Sequence, residues 1–344
     1  MQDKRPEKRV KKMKVAVLMG GKSHEREFSL ASGKSVCDAL EAAGHEVLPL
    51  DTNDSLTQTL RSEKPDVVYS ALHGKNGEDG TIQMLCKMLD IPMVGCKPSV
   101  CRQTWNKSVL HSVLSHYYGA DPITCGGAAV PISGVFMREA AFKDMGAASA
   151  LDKLIEHIPG GFPVAVKPTK SGSAMGVSKA NNEEELAQAL LKAFSFCSEV
   201  VVDEWIDGVN LAVAVLGEGD FAYALPPVEI APKQGFFDTE ARLDGDMVDC
   251  YAPVRLESLS DDESEAHSIR SEIERAACDV HNAYSCRDLS RVDIIWDGAR
   301  ARVLEIDVSP GMGPYSGFPM ACKAAGLSLQ AVLNELVEQA ALRG

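Results

Sequence analysis

The sequence predicts an α/β protein of two or three domains, the first of them a small parallel sheet. Three observations carry that expectation. At 344 residues the chain exceeds one ordinary core. Its first third alternates strand-like and helix-like patterns. Near its end, two apolar segments carry acidic residues at the two-residue period of a strand. An apolar share of 45% against a charged share of 24% is ordinary for a soluble globular chain.

The first expected element, 14–21, is a buried apolar strand that ends in a glycine turn. A helical face follows, with Phe28, Ala31, Val36, Leu40 and Ala43 in phase, and Gly44 closes it. Strand 45–50, a short helix, strand 66–71, helix 81–89 and strand 91–94 complete the unit. In such a sheet ligands gather beyond the carboxyl ends of the strands. Here those ends are Gly20 to Glu25 and Leu72-His73-Gly74. A second region, 106–210, holds helix 107–118, a loose Gly-rich stretch, strand 162–167, a Gly/Ser loop, helix 183–196 and strand 200–205. The third, 211–344, mixes strands with helices over 261–284 and 327–342. No repeat or low-complexity segment interrupts this order.

The formal net charge of −14 argues against a nucleic-acid partner. It leaves room for an anionic nucleotide held by a few local cations. Residues 1–12 are basic and polar and lead into no apolar signal core. No apolar stretch is long enough to span a bilayer. The ten cysteines form no C-x-x-C pair, so they read as small hydrophobes of a reducing compartment. A cytoplasmic chain with no membrane role is the expectation.

Three segments carry chemistry. In Val164-Ala-Val-Lys-Pro-Thr-Lys-Ser-Gly-Ser-Ala-Met-Gly-Val177 a strand presents Lys167 and then enters a Gly/Ser loop. Such a loop offers successive N–H groups to a phosphate. A flexible hairpin tip would share this composition. The segment is not a Walker A loop, because no G-K-[ST] leads into a helix. In Arg291-Val-Asp-Ile-Ile-Trp-Asp297 and Val303-Leu-Glu-Ile-Asp-Val-Ser-Pro-Gly311, Glu305 and Asp307 share one strand face, and Asp293 lies beside them if the strands pair. Three carboxylates on one face repel unless a cation neutralises them. Hard oxygen ligands favour Mg²⁺ held jointly with phosphates. The competing reading is the solvated face of an edge hairpin. Arg291 is placed to serve a phosphate or an anionic intermediate. In Val200-Val-Val-Asp-Glu-Trp-Ile-Asp-Gly208 an apolar strand enters an acidic and aromatic turn, which is either an adenine slot or a sheet rim.

Taken in order, these segments resemble the signatures of the D-alanine–D-alanine ligase family. Gly20-Gly-Lys-Ser-His-Glu-Arg-Glu-Phe-Ser-Leu30 looks like the opening signature, and Ala71-Leu-His-Gly-Lys-Asn-Gly-Glu-Asp-Gly80 like the second. The Lys167 loop and Arg291…Asp293…Glu305…Asp307…Gly311 are similar to the third and fourth. The resemblance spans roughly 15–342.

It implies a three-domain ATP-grasp fold with an N-terminal parallel α/β domain over 1–105, a central subdomain over 106–210 and a C-terminal subdomain over 211–344. By the same resemblance, Lys107 and Lys167 hold ATP phosphates. Asp203, Glu204, Trp205 and Ile206 meet the adenine, and Asn210 stands at the ribose. Asp293, Glu305 and Asp307 hold two Mg²⁺ or Mn²⁺ ions. Glu25 orients the first D-alanine through its ammonium group. Ser173 and the Ser316-Gly317 turn surround the reacting amino acids, and Gly311 with Arg291 faces the oxyanion.

The implied reaction joins two D-alanines through an acyl phosphate for peptidoglycan synthesis, under a lid over 231–249. The small-molecule partners are ATP and D-alanine, and a homodimer is implied. Six positions depart from the family pattern. Arg242-Leu243 replaces the lid's Lys-Tyr, whose tyrosine bonds toward Ser173 and Glu25. Asn210 replaces Glu, and Asp307 replaces Asn. Ala174 replaces a second serine, and Asn106 replaces an Asp. The rivals are therefore a D-alanine ligase with another amino or hydroxy acid as acceptor, and a nucleotide-binding relative that no longer catalyses. Amino-acid-dependent phosphate release separates the three.

Overall fold

The computed structural model describes residues 12–158, 160–233 and 247–344. Fourteen strands are described, in three sheets. The first sheet holds β1 (Lys14–Met19), β2 (Glu46–Asp51) and β3 (Val67–Ser70), parallel and in the order β2-β1-β3. Its apolar runs are buried on both faces. Val15 and Val17 pack toward helix Arg26–Ala42, while Ala16 and Leu18 pack toward helices Leu56–Glu63 and Thr81–Met88. The strand expected over 91–94 is reduced to one parallel bridge between Val68 and Met93. Pro92 lends its carbonyl to Val68 N–H at 2.8 Å but has no N–H to return.

The chain next lays down β4 (Ala129–Pro131), β5 (Gly134–Arg138), β6 (Val164–Pro168), β7 (Ser178–Ala180) and β8 (Glu199–Glu204). The last four pair antiparallel in the order β5-β8-β6-β7. Helices Ala147–His157 and Glu183–Phe194 cover one face through Leu154, Leu186 and Leu190. The stretch read as loose thus holds two strands and helices Glu139–Met145 and Ala147–His157.

β4 instead joins the large sheet, with β9 (Val209–Leu216), β10 (Tyr223–Ala224), β11 (Val228–Pro232), β12 (Val248–Tyr251), β13 (Leu289–Trp296) and β14 (Ala301–Asp307). The order is β12-β11-β9-β13-β14-β4, with β10 on β9. Alternation along β9 shows how the sheet sits. Leu211, Val213 and Val215 meet helix Glu263–Ala283 through Ile273, Ala277 and Val280. Ala212, Ala214 and Leu216 turn to the opposite side, in one core with Phe318 and with Val36 and Leu40 of the first domain. β13 lies between β9 and β14, and its Val292, Ile294 and Trp296 face is buried, so Asp293 does not sit on an edge hairpin.

The flanks of the 231–249 stretch are the paired strands β11 and β12, joined as far as Pro232↔Val248. Gly235, Phe236, Phe237, Arg242, Leu243 and Gly245 lie outside the described residues. Among the described residues no helix is long and apolar enough to cross a membrane.

Candidate active site

Register builds the acidic face. β13 and β14 pair with Arg291 opposite Asp307 and Asp293 opposite Glu305. Directly opposed residues share a face, so all four side chains project together. A bulge after Asp293 shifts the pairing to Ile294↔Val303. Asn210 joins the same side of the sheet, because β9 sets it against Ile295.

Each carboxylate is matched to a protein cation. Arg291 is only 8% exposed. Its Nε and Nη2 donate to Asp293 Oδ1 and Oδ2 at 2.6 and 2.9 Å. Its Nη1 lies 3.0 Å from Asp307 Oδ2. Lys107 Nζ lies 2.8 Å from Glu305 Oε2 and donates to Ser171 O at 2.6 Å. Burial alone would raise the Glu305 carboxyl, but Lys107, then Arg291 and Lys167, outweigh it and hold it down to about 2. Across the cleft, on the small sheet, Lys167 Nζ pairs with Asp203 Oδ2 at 2.7 Å.

Among the described residues no three acidic, His or Cys side chains converge on one cation position. The donor set nevertheless suits Mg²⁺ or Mn²⁺. It consists of hard carboxylate oxygens on a rigid pair of strands, already carrying compensating charge that a cation would replace.

The Gly/Ser loop supplies the second feature. Ser173 and Ala174 sit in the left-handed region at φ 52° and 54°, a strained state for non-glycine residues. That turn sends Ser173 Oγ to Glu25 Oε1, to which it donates a hydrogen bond across a sequence separation of 148 residues. Glu25 is 4% exposed at the start of helix Arg26–Ala42. Two glycines make room for its carboxylate. A Cβ at Gly172 would lie 2.8 Å from Oε1, and one at Gly74 would collide with Oε2.

Beside this corner stands a chain of contacts that no sequence signal had given a role. His73 Nε2 meets Ser32 Oγ at 3.0 Å, and Ser32 Oγ accepts from Met312 N–H at 3.1 Å. His73 Nδ1 faces Glu78 Oε1 at 3.4 Å. Burial, then Asp307 and Glu305, pushes Glu78 up to about 8. Both residues lie in the second signature, which was the available clue. Ser316 Oγ closes on Gly311, where a Cβ would come within 2.9 Å. A cavity of about 200 Å³ opens behind Ser23 and His73 at the carboxyl ends of β1 to β3.

The turn after β8 is the third feature. The Trp205 ring lies under Lys179 Nζ at 4.2 Å, and its Nε1 donates to Asp207 Oδ1 at 2.9 Å. Lys179, Ala165 and Asp203 stand abreast on the small sheet. Lys179 is thus a further cation on the cleft side, one the sequence did not flag. The Glu204 carboxylate is engaged by Arg302 and by Ser133 N–H. Asn106, one of the departures, accepts from Ser108 N–H at 3.2 Å and caps the short helix that carries Lys107.

Comparison with known proteins identifies the family. The family described as D-ala D-ala ligase C-terminus matches residues 132–338, and D-ala D-ala ligase N-terminus matches 52–96. The D-alanine–D-alanine ligase of Halalkalibacterium halodurans is 34% identical over 327 residues, covering 94% of this chain and 98% of that one. That of Pseudomonas entomophila is 35% identical over 333 residues, covering 96% and 94%.

Among solved structures, the D-alanine–D-alanine ligase of Bacillus anthracis superposes with a TM-score of 0.76 at 26% identity, covering 96% of this chain and 98% of that one. The VanG D-Ala:D-Ser ligase of Enterococcus faecalis gives 0.73 at 26%, covering 96% and 100%. With an acidic strand pair facing a lysine-bearing loop, and family matches along most of its length, this chain belongs to the D-alanine–D-alanine ligase family of the ATP-grasp superfamily.

Proposed function

We infer that this chain is an ATP-dependent carbon–nitrogen ligase that joins two D-alanines for peptidoglycan synthesis. The observation that carries the site reading is the β13–β14 face, where Asp293, Glu305 and Asp307 sit within reach of Arg291 and Lys107. These carboxylates would hold Mg²⁺ or Mn²⁺, two ions per chain, and the metal when bound neutralises charge on the triphosphate. Lys107 and Lys167 then exchange Glu305 and Asp203 for phosphate oxygens. Asp203, Trp205 and Ile206 line the adenine, with Glu204 among them, and Asn210 stands at the ribose.

Glu25, fixed by Ser173, accepts the ammonium of the first D-alanine. Its neighbours Gly74 and Gly172 leave that carboxylate its space. The D-alanine carboxylate attacks the γ-phosphorus in line and ADP departs, leaving an acyl phosphate. Arg291 and the Gly311 N–H face the oxyanion that forms when the second D-alanine attacks as a free amine. Phosphate leaves, and the Ser316-Gly317 turn bounds the acceptor. Three units over 1–105, 106–210 and 211–344, a homodimer and a cytoplasmic location complete the proposal. The first sheet and the small sheet over 134–204 support separate units, while β4, within 106–210, pairs with β14 of the third; the family resemblance supports the homodimer and the need for ATP the location.

A second reading changes only the acceptor. It is favoured by Arg242-Leu243 in place of the family's Lys-Tyr, together with the likeness to the D-Ala:D-Ser ligase. Purified protein with ATP, Mg²⁺ and D-alanine should release phosphate and form D-alanyl-D-alanine in equal amounts. Phosphate release that needs a second, different amino or hydroxy acid would establish the other acceptor. No amino-acid-dependent release at all would remove both readings.

A further inference from the structure

The chain steps directly from a strand of one sheet to a strand of the other at two points, between β4 and β5 at Ile132-Ser133 and between β8 and β9 at 205–208. Glu204 ties both crossings together. Its N–H donates to Ser133 O at 3.0 Å, and its Oε1 accepts from Ser133 N–H at 3.1 Å. The same oxygen accepts from Arg302 Nη2. Arg302 stands on β14 opposite Val130 of β4. Its Nη1 reaches Asp297 Oδ2 at 3.3 Å.

Asp297 is itself immobilised in the β13–β14 turn, accepting from Ala299 and Arg300 N–H at 2.9 and 2.8 Å. The guanidinium is thus anchored on the large sheet and grips the small one. Its side chain is 14% exposed and that of Glu204 27%, so the pair is largely removed from water and stronger than a surface ion pair. The second crossing is tight. A Cβ at Gly208 would lie 2.7 Å from Ile295 Cγ2, which leaves the hinge little slack.

We propose that the Arg302–Glu204 pair is a hinge clamp that fixes the angle between the two sheets and so orients residues 203–206 toward the nucleotide base. Arg302 is a positioning residue for ATP that acts through Glu204. This rests on the reading of 203–206 as the adenine wall. A clamp at the residue before Trp205 governs the base end of the cleft, while Lys107 and Lys167 hold the phosphate end independently.

The test is Arg302→Gln, with folding checked by circular dichroism. Loss of one charge-assisted pair should raise the KM for ATP about tenfold. The KM for D-alanine and kcat at saturating ATP should stay within about threefold. Magnesium tripolyphosphate, which has no base to orient, should inhibit wild type and variant equally. Arg302→Lys keeps the charge without the planar fork and should recover part of the ATP affinity. Should Arg302→Gln fail to fold, Asp297→Asn, which keeps an acceptor for Ala299 and Arg300 N–H but removes the carboxylate that anchors Arg302, should show the same pattern in weaker form. An unchanged KM for ATP, or equal losses for ATP and tripolyphosphate, overturns the clamp. If wild type binds tripolyphosphate as tightly as ATP, the adenine wall itself is wrong and the clamp falls with it.

Discussion

The acidic face and the Glu25–Ser173 corner are built in opposite ways. Asp293, Glu305 and Asp307 sit on adjacent strands of one sheet, set by register and a short turn. Glu25 and Ser173 meet across a sequence separation of 148 residues, on segments that follow strands of different sheets. The acidic face persists as long as its sheet does. The corner exists only while the Gly/Ser loop lies against the first domain. Loss on the acidic face should therefore strike turnover, and loss at the corner should strike amino-acid binding first.

The largest effect is expected from Glu305→Ala. It removes the carboxylate that Lys107 holds ionised, and Mg²⁺-dependent turnover should fall about a thousandfold or more while the circular dichroism spectrum is retained. Activity near wild type would show that this face holds no metal. Glu25→Gln should be next. The KM for D-alanine should rise about a hundredfold with little change for ATP, and steady-state kinetics that rise equally for both substrates would contradict the division of labour. Gly172→Ala is milder. Its methyl would press on the Glu25 carboxylate at 2.8 and 3.0 Å, and an increase of about tenfold in the KM for D-alanine is expected. An unaffected KM would mean that the corner rearranges freely.

How far these two regions could be read from the chain follows from how they are built. The acidic face was legible because strand geometry fixes which residues share a side, and Glu305 and Asp307 are two apart. The corner was legible only through resemblance, since nothing local in Glu25 announces Ser173. The Glu204–Arg302 pair, 98 residues apart, had no local signal at all. Lys179 was overlooked because its meaning comes from the Trp205 ring above which it sits. The stretch before β6 read as loose, since its many Gly and Ala residues blur the periodicity of β4, β5 and the helices Glu139–Met145 and Ala147–His157. Strand 91–94 was overread because an apolar run masked the missing donor of Pro92.

The smallest expected effect lies outside both regions and serves as their control. His281 is fully buried, its Nε2 donating to Gly217 O at 3.1 Å and its Nδ1 accepting from Ser290 Oγ at 2.7 Å. Burial pulls its pKa from 6.5 down to about 4. The unfolded chain therefore binds the extra proton first. Stability is fully present above pH 6.5 and is lost as pH falls toward 4, by at most about 3 kcal/mol. His281→Gln should flatten the dependence of Tm on pH across that window. An unaltered slope would assign the acid limb to other groups.

The most direct measurement is a crystal structure with a non-hydrolysable ATP analogue and Mg²⁺. The expected result is Glu305 and Asp307 released from Lys107 and Arg291 and, with Asp293, bound to magnesium beside the triphosphate. A nucleotide seated elsewhere, with those three side chains still on Arg291 and Lys107 and no metal between them, would contradict it.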